Sequence, residues 1–478
     1  MKKILHVSSE CYPAAKAGGM GDVVGALPIY LPSYDIEASV VIPKYDLKWF
    51  KTQKFKKVHK GSFAMDNAKQ NFEVHKLEKD TLGFPFFCIH LPGLFDRQSI
   101  YLADDGHGFK DEPKRNIAFQ TAVLEWLIVA KEKFELLHLH DHMTGLIPFF
   151  MQMGKRYKEL KSTPSVFTIH NGSYRGEFNW DQCLSLLPEF DSAHAGLLDW
   201  DGKINSLAAA IKCAWSINTV SPSYMQELIN VSDTLEPLYK KESYKCSGIL
   251  NGIDSNSWDP KNDIYLSAHL KDGKWKKFKS NHKEYLQDRY ALSSKKPMIG
   301  FIGRFAHQKG ADMLMDALKI CFKNKMKFNA VILGSGDKAL EEAALKLSEE
   351  YPKKVGAEIA YNEQVARHIY AGSDFLIMPS RFEPCGLNQL YAMRYGSIPI
   401  ASHVGGLKDT VFDFTDDGQG IVIQDLSINE IVLAIERAIV LYKEKKRFSQ
   451  LRESISALDY SWDNSARLYS ELYLNHIN

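Results

Sequence analysis

The stretch KKILHVSSECYPAAKAGGMGDVVGAL (residues 2–27) combines a strand, a loop and a helix in succession. Its start, ILHV, is short, apolar and partly β-branched, which is typical of a buried strand. The glycine pair Gly18-Gly19 follows, and GDVVGAL then has the pattern of a helix. A strand that leads through a glycine-containing loop into a helix is the building unit of parallel α/β sheets. The stretch therefore predicts an α/β fold.

The same unit recurs along the chain. Short apolar runs alternate with helix-like segments, and these runs are ILHVSS (4–9), EASVVIP (37–43), FPFFCIH (84–90), LLHLH (136–140), SVFTIH (165–170), SINTVS (216–221), PMIGFIGR (297–304), FNAVILG (328–334), VGAEIAY (355–361), DFLIMPS (374–380) and SIPIAS (397–402). Such alternation predicts doubly wound parallel sheets with helices on both faces. The run FEVHKLEK (72–79) alternates polar and apolar residues, so we expect an inserted antiparallel hairpin within residues 55–90.

A lysine-rich segment divides the chain. Residues 259–296 contain few apolar runs, and we interpret them as a solvated helical connector rather than a basic binding surface. Strand–helix alternation stops before this segment and resumes after it. The sequence therefore predicts two doubly wound domains with a cleft between them. The last segment, SWDNSARLYSELYL (461–474), has the pattern of an amphipathic helix with Ser461 as its N-cap.

The composition argues against several classes of protein. The 478 residues carry a formal net charge of +2, which gives no case for nucleic acid or a membrane surface as a partner. No stretch approaches the roughly 18 uninterrupted apolar residues of a membrane-spanning helix. The seven cysteines are scattered without a C-x-x-C pair, which favours reduced thiols and a cytoplasmic location.

Polar residues and glycines cluster where the strands of the second half end, and doubly wound sheets bind ligands beyond those ends. Arg304 and Lys309 follow one strand, and two cations beside a helix start suit a diphosphate. Glu383 follows another strand, where a carboxylate can bind paired sugar hydroxyls, and Gly386 allows a close backbone approach. Gly406 precedes a further helix. Each turn alone also fits a solvated or capping loop, but the three agree.

The first half offers matching residues after its own strands. Lys16, Gly18 and Gly19 follow the first strand, and the segments HLHDH (138–142) and TIHNGSY (168–174) end two later ones. Histidine and aspartate side chains can bond sugar hydroxyls and stabilise a developing positive charge. These strand ends therefore predict a sugar-binding surface in the first domain.

Together these motifs resemble those of bacterial glycogen synthases and plant starch synthases. The resemblance spans essentially the whole chain and rests on HVSSECYPAAKAGGMGDV, HLHD, TIHN, SPSY, LNGID, GRFAHQKG, PSRFEPCGLNQLYAM and GGLKDTV. It implies a GT-B fold, in which two Rossmann-like domains (1–250 and 251–455) face across a cleft and a C-terminal helix (456–478) returns to the first domain. It also implies retaining transfer of glucose from ADP-glucose to the non-reducing end of an α-1,4-glucan, without a metal or cofactor. UDP-glucose stays open as the alternative donor.

The resemblance implies roles for individual residues. The residues implied in catalysis are Arg304, Lys309, Glu383, His170 and Asp141. The residues implied in donor binding are Lys16, Gly18, Gly19, Asp22, Tyr361, Cys385, Gly386, Gly406 and Leu407. The residues implied in acceptor binding are Asn171, Tyr174 and His140. Within these sets the two cations bind the diphosphate, Tyr361 stacks on the base, and Gly406 and Leu407 offer backbone N–H groups.

The chain departs from the family pattern at two places. Where the family carries the motif HDWH, this chain has Asp141, His142 and Met143 at the last three positions. The tryptophan that would contact an acceptor is therefore missing. A family Lys-Ala-Gly stretch is Ala208-Ala209-Ala210. A third position, Tyr391, is typical of the synthases, whereas related nucleotide-sugar transferases usually carry a second glutamate there.

Two other functions fit parts of the sequence less well. An NAD(P)-dependent oxidoreductase fits Gly19-x-Gly21-x-x-x-Gly25, but the second strand ends in Pro43-Lys44, where a ribose-binding acid is required. A non-catalytic glucan-binding protein would not need the two diphosphate-binding cations.

Metal-dependent chemistry has two candidate motifs. The cluster His138, His140, Asp141 and His142 resembles a metallohydrolase site, but no carboxylate-rich partner motif accompanies it. The Asp199-Trp-Asp201 sequence mimics the metal-binding D-x-D of other glycosyltransferases, and we interpret it as a turn.

Overall fold

A computed structural model describes residues 1–103, 106–130, 133–293 and 296–477. Residues 294–295 of the predicted connector and residue 478 of the predicted C-terminal segment lie outside the described residues. The chain forms two compact units. Unit 1 comprises Met1–Val220, Met225–Leu250 and Trp462–Asn478, and unit 2 comprises Ser221–Tyr224 and Asn251–Ser461.

The strands of the described residues are β1 (Lys2–Val7), β2 (Ile36–Pro43), β3 (Phe55–Met65), β4 (Ala68–Leu77), β5 (Phe86–His90), β6 (Leu136–His140), β7 (Ser165–Ile169), β8 (Glu177–Phe178), β9 (Asp199–Trp200), β10 (Lys203–Asn205), β11 (Ser216–Thr219), β12 (Cys246–Gly248), β13 (Met298–Ile302), β14 (Asn329–Gly334), β15 (Val355–Ile359), β16 (Phe375–Met378), β17 (Ile398–Ser402) and β18 (Ile421–Ile423). The α-helices are α1 (Gly19–Tyr30), α2 (Lys48–Thr52), α3 (Glu112–Val129), α4 (Ile147–Met153), α5 (Trp180–Cys183), α6 (Ser206–Cys213), α7 (Pro222–Asn230), α8 (Glu236–Lys241), α9 (Trp275–Arg289), α10 (Ala311–Lys323), α11 (Lys338–Glu350), α12 (Glu363–Gly372), α13 (Asn388–Arg394), α14 (Gly405–Thr410), α15 (Ile428–Lys443), α16 (Lys445–Ser456) and α17 (Trp462–Leu474).

Within the described residues, unit 1 contains a nine-stranded sheet in the order β12-β11-β7-β6-β1-β2-β5-β4-β3. The first seven strands in this order pair in parallel, from β12 to β5, while β4 is antiparallel to both β5 and β3. The predicted hairpin is therefore confirmed, and it extends one edge of the parallel sheet. The strand order reverses between β1 and β6, which pair directly with Val7 opposite Leu139. Doubly wound sheets bind ligands at this kind of reversal.

Unit 2 contains a six-stranded parallel sheet in the order β15-β14-β13-β16-β17-β18, again counted over the described residues. This is the strand order of a Rossmann sheet, with its reversal between β13 and β16. Apolar side chains from α10 and α15 cover one face, while α9 and α12 lie on the other. Both faces are buried, which explains why these strands are continuous apolar runs rather than alternating ones.

The C-terminal helix α17 packs against unit 1. Trp462, Tyr469 and Tyr473 are buried in one cluster with Val23 of α1 and Ile4 of β1. The amphipathic pattern of residues 461–474 therefore reflects a real buried face.

Two parts of the sequence interpretation differ from the structure. Residues 275–289 of the predicted connector form α9, which buries Phe278, His282 and Leu286 against unit 2 rather than being solvated throughout. The ammonium of Lys279 is also buried, and it donates hydrogen bonds to the Tyr370 carbonyl at 3.1 Å and to other oxygens. The strands β12 and β18 were not predicted, because three residues are too few for a recognisable pattern.

Candidate active site

The carboxyl ends of β13 and β16 bring the predicted cations and carboxylate of unit 2 together. The Lys309 ammonium lies 2.5 Å from Glu383 Oε2, and the Ser380 hydroxyl donates to the same oxygen at 3.2 Å. The Glu383 side chain is almost fully buried, whereas that of Lys309 is about one quarter exposed. The two loops thus place the buried carboxylate of Glu383 next to the partly exposed ammonium of Lys309.

The two loops of this half-site are held in register by further contacts. Arg381 forms a bidentate ion pair with Asp312, with both N···O distances 2.7 Å. Gly310 adopts φ +66°, and a side chain there would clash with the Pro379 carbonyl. Glycine is therefore required for the close approach of the loop after β13 to the loop after β16. Neither Arg381 nor Gly310 was singled out from the sequence.

Arg304 differs from Lys309 in its surroundings. Its side chain is exposed, and among the described residues it has neither a hydrogen-bond partner nor an ion-pair partner. An exposed guanidinium at the carboxyl end of β13 is available to an anion, and guanidinium suits bidentate recognition of phosphate.

The backbone N–H groups predicted as donors after β17, those of Gly406 and Leu407, have hydrogen-bond partners within the protein. The Gly406 N–H donates to the Glu383 carbonyl at 3.0 Å, and the Leu407 N–H donates to the Val404 carbonyl at 3.0 Å. A side chain at Gly405 or Gly406 would clash with the turn that carries Glu383. These glycines therefore serve close packing against that turn, and the N–H groups of Gly406 and Leu407 already have protein partners.

The remaining donor-binding candidates of unit 2 differ in exposure. Cys385 is buried, and burial raises the pKa of its thiol to about 12, so it is a neutral group. Gly386 adopts φ +73°, which glycine accommodates readily. Tyr361 is 87% exposed, and its hydroxyl donates to Glu363 at 3.4 Å. An exposed ring of this kind can stack on a planar base.

Tyr391, where relatives usually carry a second glutamate, belongs to an aromatic stack. Its ring lies 3.5 Å from the ring centroid of Trp258 at an interplanar angle of 16°. The Arg367 guanidinium lies 3.3 Å from the Trp258 centroid. A carboxylate could not replace this ring without losing the stack.

In unit 1, a loop of eleven residues separates the end of β1 at Val7 from the start of α1 at Gly19, so Lys16 does not directly follow the strand as the sequence suggested. The buried Glu10 organises this loop. Its Oε2 accepts hydrogen bonds from the Ala17 and Gly18 N–H groups at 2.6 and 2.9 Å. Its Oε1 accepts one from the Tyr101 hydroxyl at 2.5 Å. Sequence reasoning missed Glu10, because its partner Tyr101 is 91 residues away.

The tip of this loop carries the other predicted donor-binding residues. The Lys16 ammonium lies 2.7 Å from Asp22 in the first turn of α1. Gly18 and Gly19 have no heavy atom within 4 Å of the position that a Cβ would occupy, counted over the described residues. The fold therefore has room for side chains there, and close approach of a ligand is a better explanation for the glycine pair.

Asp141 joins the ends of β6 and β7. Its Oδ1 accepts hydrogen bonds from the His170 N–H at 2.7 Å and from the Asn171 N–H at 3.4 Å. Burial nevertheless raises the pKa of Asp141 to about 6, against the lowering effect of these hydrogen bonds. The two hydrogen bonds that Asp141 accepts fix the backbone at His170. Tyr174, in contrast, is largely exposed.

His142 stands where the family has tryptophan. Its ring lies 6.4 Å from the Tyr174 ring, and its Nε2 lies 3.5 Å from Glu112. The substituted stretch Ala208–Ala210 is fully buried in α6, where a lysine head group could not be accommodated without desolvation.

The histidines of β6 form hydrogen bonds within the protein through both of their ring nitrogens. His140 lies between His6 Nδ1 and His170 Nε2, both at 3.0 Å. His138 lies between the Tyr473 hydroxyl at 2.6 Å and Thr168 Oγ1 at 2.7 Å. His6, His138 and His140 are close enough together to be considered as a metal site, but both ring nitrogens of His138 and His140 have protein partners. A metal ion could bind there only by breaking these bonds.

Asp199 begins β9, and Asp201 lies in the hairpin turn between β9 and β10, so the predicted turn covers only the second of the two carboxylates. Asp199 accepts hydrogen bonds from Trp180 Nε1 at 2.7 Å and from the Gly202 N–H at 3.2 Å. Asp201 accepts one from Thr234 Oγ1 at 3.0 Å. Asp199 thus stabilises the hairpin, and Asp201 connects its turn to Thr234.

Comparisons with known proteins agree with this geometry. Residues 3–241 match the model of the starch synthase catalytic domain, and residues 283–453 match that of the glycosyl transferases group 1. A glycogen synthase from Flavobacterium johnsoniae is 42% identical over 98% of both chains. The chain belongs to the glycogen synthase and starch synthase family. The family resemblance inferred from the motifs is therefore confirmed.

Further relatives place the fold among the GT-B glycosyltransferases. A glycogen synthase from Thermosipho africanus is 35% identical over 100% of this chain and 99% of its own. The catalytic domain of starch synthase IV from Arabidopsis thaliana, bound to ADP and acarbose, superposes with a TM-score of 0.88 at 30% identity, covering 100% of this chain and 99% of the other. A sucrose-phosphate synthase from Thermosynechococcus elongatus shares the fold at 16% identity over 99% of both chains, with a TM-score of 0.61. The predicted fold class is confirmed, and an oxidoreductase is excluded.

No helix within the described residues combines the length and the apolar character needed to cross a membrane.

Proposed function

We propose that this family member transfers glucose from ADP-glucose to the non-reducing end of an α-1,4-glucan, with retention of the α configuration. The observation that carries the proposal is the arrangement in unit 2. The guanidinium of Arg304, which has no partner among the described residues, and the ammonium of Lys309 follow the strand at the sheet reversal. Lys309 is paired with the buried carboxylate of Glu383. The ADP in the related starch synthase supports the same class of donor.

In the proposed reaction negative charge develops on the leaving diphosphate, and the two cations stabilise it. As the bond between the anomeric carbon and the phosphate oxygen breaks, ADP leaves with the electron pair and the sugar becomes oxocarbenium-like. Arg304 and Lys309 stabilise the departing diphosphate, a role in which one electrostatic contact typically contributes about 3 kcal/mol. The acceptor 4-hydroxyl oxygen then bonds to the anomeric carbon on the same face. Its proton passes to the leaving phosphate.

The other candidates are assigned by the groups they present. Glu383 accepts hydrogen bonds from sugar hydroxyls, beside Cys385 and Gly386, and Tyr361 stacks on the base. In unit 1 the Lys16 to Asp22 loop binds donor, while His170, Asn171 and Tyr174 bind the reacting sugar and the acceptor. His140 acts through His170, since both of its ring nitrogens are already bonded. Seven free thiols favour the cytoplasm as the location.

The test is a glucose-transfer assay on glycogen with ADP-glucose and UDP-glucose side by side. We expect transfer from ADP-glucose, with a lower kcat/KM for UDP-glucose. Equal or better use of UDP-glucose would overturn the donor assignment, and no transfer from either donor would overturn the function.

A further inference from the structure

Two loops of unit 2 carry the charged groups proposed to bind the donor. The β13 loop (residues 303–310) contains Lys309, and the β16 loop (residues 379–387) contains Glu383. Helix α10 begins directly after the β13 loop, and its first turn includes Asp312. Because β13 and β16 are neighbouring parallel strands, contacts between the two loops decide how far apart the two charged groups lie.

The side chain of Arg381, in the β16 loop, binds the β13 segment at two places. Its Nη1 donates to the His307 carbonyl and to Asp312 Oδ1, both at 2.7 Å, and its Nη2 donates to Asp312 Oδ2 at 2.7 Å. His307 precedes Lys309 by two residues, and Asp312 follows it by three. The guanidinium therefore holds the β13 segment on both sides of Lys309, from a position two residues before Glu383.

The chemistry of the Arg381–Asp312 pair suits a geometric role. A bidentate pair of guanidinium and carboxylate fixes the orientation of the two groups as well as their distance. The side chains of Arg381 and Asp312 are 26% and 37% exposed, and ion pairs with such exposure contribute little to stability. The pair therefore constrains the loops more than it stabilises the fold.

The other hydrogen bonds between the two loops cannot replace this constraint. The Arg381 N–H donates to the Gln308 carbonyl at 2.9 Å, and Gln308 Nε2 donates to the Phe382 carbonyl at 3.1 Å. Neither bond uses the Arg381 side chain. Without the guanidinium, the hydrogen bonds between these loops among the described residues, apart from the Lys309–Glu383 pair itself, would all involve Gln308.

We propose that Arg381 is a positioning residue for the transfer reaction, because its guanidinium holds the β13 loop on both sides of Lys309 and so places the Lys309 ammonium for the donor diphosphate. This inference rests on the proposed function for the role of Lys309. Arg381 acts through Lys309 and not on the substrate, since both of its terminal nitrogens bind protein oxygens.

A double-mutant cycle between Arg381 and Lys309 tests the proposal. A residue that acts through Lys309 loses its effect when the Lys309 side chain is absent, so the two substitutions should not be additive. We expect Arg381→Ala to lower kcat/KM for ADP-glucose at least about 10-fold in the native background and at most about 3-fold in Lys309→Ala. The same loss in both backgrounds, or no loss in the native one, would overturn the proposal.

Arg381→Lys repeats the cycle with a smaller change, which covers a failure of Arg381→Ala to fold. Lysine keeps the positive charge but has a compact head group instead of a planar fork. We expect a loss of at least about 3-fold in kcat/KM, again smaller in the Lys309→Ala background. Native kcat/KM in Arg381→Lys would overturn the assignment of this role to the guanidinium.

Arg437→Ala is the matched control for stability. Arg437 also lies in unit 2, pairs with Asp413 at 2.5 Å and donates to a backbone carbonyl, that of Val422, at 3.3 Å. Neither partner is a proposed site residue. We expect both alanine variants to lower the urea midpoint of unfolding and only Arg381→Ala to lower kcat/KM. A similar loss of kcat/KM in Arg437→Ala would show that general destabilisation explains the effect, and it would overturn the positioning role.

Binding of ADP to the free protein separates this inference from the proposed function. Isothermal titration calorimetry of the four proteins of the Arg381→Ala cycle measures the Kd of ADP without transfer. We expect Arg381→Ala to weaken ADP binding in the native background and to change it less than about 2-fold in Lys309→Ala. If neither nucleotide sugar supports transfer, this pattern would refute the proposed function and support the role of Arg381. Equal weakening in both backgrounds, or no binding of ADP by the native protein, would overturn the inference.

Discussion

The Lys309 ammonium lies 2.5 Å from Glu383 Oε2, so one of the two cations proposed for the diphosphate is already paired with the carboxylate proposed for the sugar. This pair links the two ends of the donor. A phosphate that binds Lys309 competes with Glu383, and it frees lone pairs of that carboxylate for sugar hydroxyls.

The pair predicts a specific kinetic pattern for Glu383→Gln. The amide keeps the shape but removes the charge that competes for Lys309, so we expect kcat to fall about 10²-fold while the KM for ADP-glucose falls or stays constant. Steady-state kinetics with varied ADP-glucose measure both. Glu341→Gln is the control, because it breaks an ion pair in which a largely buried carboxylate lies 2.8 Å from the ammonium of Lys338, away from the proposed site residues. A raised KM with unchanged kcat in Glu383→Gln would contradict the proposed competition.

Arg304→Ala should lower kcat without changing the stability of the protein. The side chain is exposed and lacks a protein partner within the described residues, so its loss should leave the free energy of unfolding within about 0.5 kcal/mol of the native value. Loss of a diphosphate contact should lower kcat by about 10² to 10³-fold. Denaturant unfolding measures the free energy of unfolding, and the transfer assay measures kcat. Arg447→Ala, at another exposed arginine of unit 2, should leave kcat unchanged, although it removes contacts to Glu444 and to the Phe414 carbonyl. Near-native turnover of Arg304→Ala would refute the diphosphate role.

The sequence predicted the parts of the site that follow a local pattern. Arg304, Lys309 and Glu383 were identified because each closely follows an apolar strand, and parallel strands bring such ends to one edge. Long-range partners carry no such signal. His6 and His140 are 134 residues apart, and nothing in either segment indicates that their rings meet. Gly406 could not be interpreted from the sequence for another reason. A glycine there indicates a close backbone approach, but it does not indicate whether the neighbour is a ligand or the turn that carries Glu383.

Asp141 should make stability depend on pH. Its pKa is raised from 3.8 to about 6 by burial, so the folded protein holds a proton that the unfolded chain releases between these values. The stability contributed by this group therefore falls as the pH rises from about 4 to about 6, by at most about 3 kcal/mol. Asp141→Asn lacks the proton and should show a smaller fall. Urea unfolding of both proteins at pH 4, 5 and 6.5 measures the difference, and parallel curves would show that the Asp141 pKa is not raised.

A strong chelator should leave transfer intact. In the proposed mechanism Arg304 and Lys309 supply the positive charge that other enzymes obtain from a metal ion. The carboxylates of Asp199 and Asp201 already accept protein hydrogen bonds. We expect the same initial rate after exhaustive dialysis against EDTA as after dialysis against buffer. Loss of activity that added Mg²⁺ or Mn²⁺ restores would show that the proposed metal-free mechanism is wrong.

Glu10 should control donor binding without touching the donor. Glu10→Ala leaves the Ala17 and Gly18 N–H groups without their carboxylate acceptor and releases the loop that carries Lys16. We expect the KM for ADP-glucose to rise at least about 10-fold, because a mobile loop must be ordered on binding. Tyr101→Phe is the graded control, since it removes the hydroxyl contact to Glu10 but keeps both backbone bonds, and it should raise KM less. The same KM in Glu10→Ala and the native enzyme, with both folded by circular dichroism, would mean that the loop holds its position without Glu10.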